Sequence, residues 1–181
     1  MTDGTDDNDP MNGTERAMQK IWLEQDITLS HVATHLQDSG LEAVEEDSRI
    51  ELHTEDGIGY VVGLDIERRF VRFSTVLPPD RLQPLATRKE FALQLNEDFF
   101  LPSFSVDDSG DLRILYVMSY WQGLIAGHVV AMIRRFGSLL DYLVRQRNPD
   151  DIISFDTGEA ALDERSGGES VHPAPGGRLL N

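Results

Sequence analysis

Few side chains in this sequence have the types and spacing needed to bind a metal ion. His31 and His35 are four residues apart in a segment with helical periodicity, which places both imidazoles on one helix face and can hold a metal. Only Asp38 and Glu42 lie close enough in sequence to complete such a site. We therefore interpret the two histidines as a solvated helix face and predict no metal.

Two groups of acidic residues could serve calcium binding or acid–base chemistry. Asp107, Asp108 and Asp111 surround Gly110, but no glutamate follows at the distance at which a calcium loop requires its bidentate ligand. We predict a tight turn here, in which Gly110 takes a positive φ angle. The carboxylate run 45–47 is too polar for the burial that paired acid–base catalysis requires of one carboxylate.

The other catalytic and cofactor motifs are incomplete. Gly57 and Gly59 begin a glycine-rich pattern, but Val62 stands where the third glycine of a dinucleotide fingerprint belongs, and the pattern opens a strand. No nucleophile elbow accompanies the serines, and the chain has no cysteine. The sequence thus predicts no catalytic residues and no cofactor.

Composition limits the class of protein further. The chain has 181 residues, 40% of them hydrophobic, and a net charge of −16 that disfavours nucleic acid as a direct partner. No apolar run reaches the ~20 residues that span a bilayer, and the acidic N-terminus does not resemble a signal peptide. We expect a cytoplasmic protein with no membrane partner. We expect acidic disordered tails over 1–12 and most of 150–181, around a single domain over 13–149.

The periodicity of apolar residues predicts an α+β fold in the order α-βββ-α-ββ-α, with helices on an antiparallel sheet of about five strands. The predicted elements are a short extra helix over 14–24, a helix capped by Thr28 that ends at Gly40, three strands between 41 and 77, a helix over 83–98, a hairpin over 104–120 and a helix over 124–147. Gly59 and Gly63 on the second strand predict a close approach by another group.

The last strand and the last helix carry more apolar surface than one sheet face needs. Leu115 and Val117 are apolar on the side of the strand opposite Ile114, so we predict a strand that is central or covered by a partner. Core packing accounts for most of the excess. The alternative is a protein-binding or dimer surface, for which the candidate residues are Tyr120, Trp121, Leu124, Phe136 and Leu140.

This arrangement resembles the YbjN family. The likeness runs from about residue 28 to 146 and is carried by the strand segment GYVVGLDIERRFVRFSTVLP, the hairpin FSVDDSGDLRILYVMSY and the long closing helix. The family is similar in fold to type III secretion chaperones. The resemblance implies a protein that is not an enzyme, because members are described as candidate sensory transduction regulators and the related chaperones bind unfolded segments of other proteins.

We therefore expect a protein-binding module of a chaperone-like or regulatory kind, with another protein or a second copy in a homodimer as its partner. The alternative is an enzyme or a small-ligand-binding domain that uses a cavity between the sheet and the last helix.

Overall fold

The structure is a computed structural model that describes residues 20–155. The predicted tail over 1–12 and the tail beyond residue 155 lie outside the described residues. In chain order the elements are β1 (Ile21–Trp22), α1 (Leu29–Asp38), β2 (Val44–Glu46), β3 (Arg49–His53), β4 (Gly59–Asp65), β5 (Phe70–Leu77), α2 (Leu85–Asp98), β6 (Ser103–Val106), β7 (Leu112–Ser119), β8 (Leu124–Ile125) and α3 (Ala126–Gln146).

Six strands form one sheet in the order β2-β3-β4-β5-β7-β6, and every neighbouring pair is antiparallel. The predicted α+β class is confirmed, and the strands β3 to β7 correspond to the five that we expected. The sixth, β2, is a short edge strand that pairs Val44 with Glu51. A separate two-stranded sheet joins β1 to β8.

One face of the large sheet is buried, and α3 packs on it. In α3, Phe136 makes an edge contact with Tyr60 of β4 and a tilted contact with Phe73 of β5, with ring centroids 5.6 and 6.1 Å apart. Phe73 in turn contacts Tyr116 of β7 at 5.5 Å. Ile133 and Leu140 are buried on the same side of the helix. The helix therefore lies over the middle strands of the sheet.

The register of α3 differs in part from the one that the sequence predicts, in which the buried seam of the last helix is Ile125, Val129, Met132, Phe136, Leu139 and Leu143. Ile125 precedes the helix and is exposed, while Met132 and Leu139 are only partly buried. Ile133 and Leu140, which we had placed beside the seam, are fully buried instead. Val129, Phe136 and Leu143 are buried as the seam predicts, so the buried stripe keeps these three positions and runs through Ile133 and Leu140 in place of Met132 and Leu139.

Local signals for α1 behave as predicted. The Thr28 hydroxyl accepts a hydrogen bond from the backbone N–H of His31 at 3.1 Å, and Ile27 and Val32 are both buried. Gly40 has a φ of 79°, the left-handed conformation that ends the helix. These signals were readable because they involve residues close together in the chain.

Turn chemistry also accounts for the acidic residues between β6 and β7. One oxygen of Asp107 accepts hydrogen bonds from the backbone N–H groups of Ser109 and Asp111, at 2.9 and 3.0 Å. Gly110 adopts a φ of 84°. The Asp107 carboxylate is thus committed to its own turn.

The segment before α1 departs from the prediction. Residues 14–19 of the predicted short helix lie outside the described residues, and the remainder is extended. Ile21 pairs with Ile125 and Trp22 with Leu124, after which Glu24–Asp26 forms a 3-10 turn. Trp22 is buried in the core and Ile21 is exposed, the alternation of a strand rather than a helix face.

The fold extends beyond the predicted boundary at residue 149. Ile152 and Ile153 are buried, and Ile153 forms a β-bridge with Pro79. The side chain of Asn148 donates to the carbonyl of Ile153 at 2.9 Å and accepts from its N–H at 2.7 Å. This reciprocal pair folds the chain back onto the domain after α3.

β7 lies between β5 and β6 as a central strand, while the outer face of the sheet is exposed around it. On β7, Val117 is 44% exposed and Leu115 is half-buried, so the strand is buried on one side only. A Cβ added to Gly59 would lie 3.6 Å from Nε2 of His53 on the neighbouring strand. The group that approaches this glycine is therefore a side chain of the same sheet, while Gly63 has only the Ser48 carbonyl within 4.0 Å.

Two glycine substitutions test this description of the backbone. Gly137 lies in the interior of α3, where a Cβ would meet the Tyr60 hydroxyl at an ordinary 3.5 Å. Because glycine costs a helix about 1 kcal/mol relative to alanine, Gly137→Ala should raise the free energy of unfolding by up to that amount. Gly110→Ala should lower it, since its positive φ and the neighbouring Arg88 guanidinium both oppose a side chain. Urea unfolding of both variants checks the opposite signs.

Candidate functional site

The structure separates the five residues of the candidate surface. Tyr120, Leu124, Phe136 and Leu140 are all buried in the core. Only Trp121 is exposed, at 68%. A single surface made of all five residues is therefore absent from this chain, and the packing of α3 and β8 explains why: four of them face the sheet or the N-terminal strand.

The turn that carries Trp121 leads into the two-stranded sheet, where further apolar side chains are exposed. We call Ile21, Leu23, Trp121 and Ile125 the terminal patch. Ile21 and Ile125 are directly opposite each other across β1 and β8, and a Cβ at Gly123 would lie 3.8 Å from Ile21. Gln122 and Gly123 both have positive φ angles, so a sharp turn presents Trp121 to solvent.

Glu24 holds this end of the molecule together. Its carboxylate pairs with the Arg69 guanidinium of the β4–β5 turn and accepts from the backbone N–H of Gln122 at 3.2 Å. The hydrogen bond from Arg69, followed by that from Gln122, lowers the pKa of Glu24 below its ordinary value of 4.5. One carboxylate thus joins the N-terminal segment to two turns of the sheet.

The two histidines pack against a tryptophan. The ring of Trp22 lies 4.4 Å from that of His31 and 5.0 Å from that of His35. Burial is the main cause that lowers the pKa of His35, and Nδ1 of His31 lies 2.9 Å from the Asp26 carbonyl oxygen. The four-residue spacing of the histidines therefore lets both rings pack on Trp22 of β1. Within residues 20–155, no three or more His, Asp or Glu side chains lie close enough together to hold a metal ion.

A second apolar site lies between α3 and the β7 end of the sheet. We call it the apolar crevice: a cavity of about 120 Å³ lined by Phe99, Phe100, Leu101, Pro102, Tyr116, Met132, Arg135, Phe136 and Leu139. Phe100 is 99% exposed at its mouth and Leu101 is 46% exposed. Arg135 is the one charged lining residue, and it has no ion-pair partner among the described residues.

The crevice adjoins an open stretch of strand edge. β6 pairs with β7 only as far as Ser103 opposite Leu115, so within the described chain no strand covers Tyr116–Ser119 on that side. Pro102 has no backbone N–H to donate and therefore cannot extend the ladder. Asn96 of α2 fixes this end of β6 by accepting from the N–H of Phe104 at 2.9 Å and donating to its carbonyl at 2.8 Å.

Sequence reasoning missed most of the crevice. Phe136 was a candidate residue, but the loop Phe99–Pro102 was not, because its apolar residues directly follow the predicted helix over 83–98. Three consecutive apolar residues followed by proline were the available signal. A helix that ends at Asp98 cannot bury all three, so at least one must face solvent.

Comparison with known proteins supports the fold. No protein-family model matches the chain, and no curated protein matches it either. A crystal structure of YbjN, a proposed transcription regulator from E. coli, superposes with a TM-score of 0.59 at 15% identity, covering 71% of this chain and 96% of that one. At this identity the likeness shows a shared fold.

Two solved complexes are less similar. The HopA1–SchA chaperone–effector complex has a TM-score of 0.46 at 14% identity, covering 63% of this chain and 88% of that one. The ExsC–ExsE complex has a TM-score of 0.46 at 12% identity, covering 74% and 93%. At these scores neither carries an argument about this chain.

Within residues 20–155, no helix has the length and apolar character needed to cross a membrane.

The role of Glu24 predicts a pH-dependent loss of stability. A carboxylate whose pKa is lowered by folding stabilises the fold above its unfolded-state pKa, and this contribution is lost as the pH falls through the folded-state pKa. Glu24→Gln should therefore be less stable than the wild type at neutral pH, and the difference should shrink below pH 4.5. Urea unfolding at several pH values measures it. Glu97→Gln, an exposed carboxylate without a partner among the described residues, should show no such difference.

Proposed function

We propose that this chain is a non-enzymatic protein-binding module that holds an extended apolar segment of another protein in the apolar crevice. The observation that carries the proposal is the crevice itself, an apolar cavity that stands open beside an unpaired strand edge. A chaperone-like or regulatory role follows from this kind of binding.

The size of the crevice favours a protein side chain over a small molecule. Its volume of about 120 Å³ is well below the roughly 300–1,000 Å³ of sites that enclose drug-sized ligands. One large apolar side chain would fill it, with Phe100 and Leu101 free to close over the occupant. Phe100 is 99% exposed and therefore contributes no hydrophobic stabilisation to the isolated chain. Burial of its ring against a partner would supply that stabilisation to the complex.

The open edge supplies the backbone part of recognition. An extended segment that pairs with Tyr116–Ser119 would continue the position of β6 and receive main-chain hydrogen bonds. Side chains alternate across a strand, so every second residue of that segment would point toward the inner face, where the crevice lies. Recognition would then combine a strand pairing with one apolar anchor.

Charge indicates the chemistry of the partner. The unpaired Arg135 at the crevice would attract a carboxylate next to the apolar anchor. The net charge of −16 opposes direct contact with nucleic acid, so a regulatory role would act through another protein. The fold shared with YbjN is compatible with such a role. Membership of that family and a cytoplasmic location remain predictions.

We also propose that the terminal patch mediates a homodimer. Ile21, Leu23, Trp121 and Ile125 form an exposed apolar group on a two-stranded sheet that Glu24 and Arg69 hold in place. A second copy of the same patch is self-complementary in a two-fold dimer.

The crevice is tested by charge substitution at its mouth. A photo-crosslinking amino acid at position 101 identifies the partner, and titration calorimetry then measures its affinity for purified variants. Phe100→Asp combined with Leu101→Asp should weaken binding roughly tenfold or more, because carboxylates replace the apolar rim. Leu82→Asp, at an exposed leucine outside the crevice, is the matched control and should bind normally. Equal affinities of the two variants would contradict the proposal.

The dimer is tested separately. Trp121→Asp should convert a dimer into a monomer of 20.3 kDa in light scattering, while its circular dichroism stays that of the wild type because the side chain is exposed. Ile66→Asp substitutes another exposed apolar residue outside the patch and should leave the mass unchanged. A wild-type chain that is monomeric at all concentrations, or a dimer that survives Trp121→Asp, would contradict the role of the patch.

A further inference from the structure

A second opening lies on the other side of α3, between the helix and strands β3 and β4. We call it the polar cleft. Its volume is about 510 Å³, which falls within the roughly 300–1,000 Å³ typical of small-ligand sites. Its walls include Thr54, Tyr60, Arg134, Gly137 and Asp141. Unlike the apolar crevice, it is lined by groups that can hydrogen-bond.

Three of the polar side chains that line the cleft are bound to other parts of the fold. Arg134 donates to the carbonyl of Ser39 at 3.0 Å, and Arg145 pairs with Asp56. The Thr54 hydroxyl accepts from the N–H of Ile58 at 3.1 Å. The two arginines therefore donate to other groups, and Arg145 interacts with Asp141 through its charge without a hydrogen bond or ion pair to it.

Tyr60 and Asp141 are cleft residues whose polar atoms are left without a hydrogen bond where the helix meets the sheet. Tyr60 is only 5% exposed, but its hydroxyl oxygen is not fully buried and makes no hydrogen bond among the described residues. Asp141 is half-buried, and one of its carboxylate oxygens is buried without a donor. Burial raises the pKa of Tyr60 to about 12, and the negative charge of Asp141 is the second cause. The two groups therefore interact electrostatically. The unpaired buried oxygen of Asp141 is costly, and a bound donor would remove that cost.

Gly137 keeps this place accessible. A Cβ at this position would lie 3.5 Å from the Tyr60 hydroxyl and 3.7 Å from Cγ2 of Thr54. A glycine in the interior of a 21-residue helix lowers helix stability, so its position above an unpaired hydroxyl needs a local reason. The missing side chain leaves room for a group to reach Tyr60 between the helix and the sheet.

We propose that the polar cleft binds a cationic N–H donor, an alkylammonium or guanidinium group, between the Tyr60 hydroxyl and the Asp141 carboxylate. The ligand must bring donors, because Asp141 can only accept. It carries positive charge, because a half-buried carboxylate is stabilised most by a hydrogen-bonded cation. This binding is independent of the apolar crevice and of the proposed protein partner.

Ethylguanidinium is the direct probe, and the isosteric neutral ethylurea is its control. In ¹H–¹⁵N NMR titrations of the full chain, ethylguanidinium should bind saturably and shift the amides of residues 53–60 and 137–141. Tyr60→Phe and Asp141→Asn should each weaken this binding roughly tenfold, a typical effect of losing a charge-assisted hydrogen bond. Glu97→Gln lies outside the cleft and should leave it unchanged.

Gly137→Ala adds a readout that does not remove a polar group. It should stabilise the fold and still weaken ethylguanidinium binding, because the methyl group occupies the approach to Tyr60. Tighter binding of N-acetyl-arginine amide than of ethylguanidinium would indicate a protein side chain as the natural source, and the reverse order a free small cation; either supports the site. Equal binding of ethylurea, no saturable binding, or no loss in Asp141→Asn would overturn the proposal.

Discussion

The packing of α3 against the middle of the sheet is the interaction on which the rest of the structure depends. Phe136 contacts aromatic rings on both β4 and β5. Ile133 and Leu140, which precede and follow it along the helix, are also buried. The hydrophobic free energy of this contact fixes the helix at a defined position. Because six strands are wider than one helix, the same contact leaves a gap on each side.

The two gaps differ in chemistry because different strands line them. Toward β7, the loop Phe99–Pro102 closes an apolar crevice that suits one side chain of a protein segment. Toward β3 and β4, Tyr60 and Asp141 line a larger polar cleft. Both sites border the same packed helix and are present in the chain without a bound partner. Binding would therefore require little reorganisation of the chain, which limits its entropic cost.

The sequence predicted the fold class and its local signals well, since these depend on near neighbours. The cap at Thr28, the turn at Asp107 and the hairpin each rest on contacts within a few residues. Its failures concern long-range contacts. Trp22 is held by β8, and Ile153 by Pro79, partners about a hundred and about seventy residues away respectively.

Four of the five candidate site residues proved to be core, because composition shows how much apolar surface exists but not which side of α3 meets the sheet. The polar cleft was foreseen only as a generic cavity between sheet and helix.

Amide hydrogen exchange along β7 tests the central claim most directly, namely that α3 leaves the crevice and its strand edge open. In the isolated chain, the amides of residues 112–115 should be uniformly protected, since β5 and β6 flank them on both sides. In residues 116–119, the amides that point away from β5 should exchange rapidly, and a partner bound at the crevice should slow them. Uniform slow exchange along the whole of β7, independent of protein concentration, would show that the edge is already covered and would contradict the account.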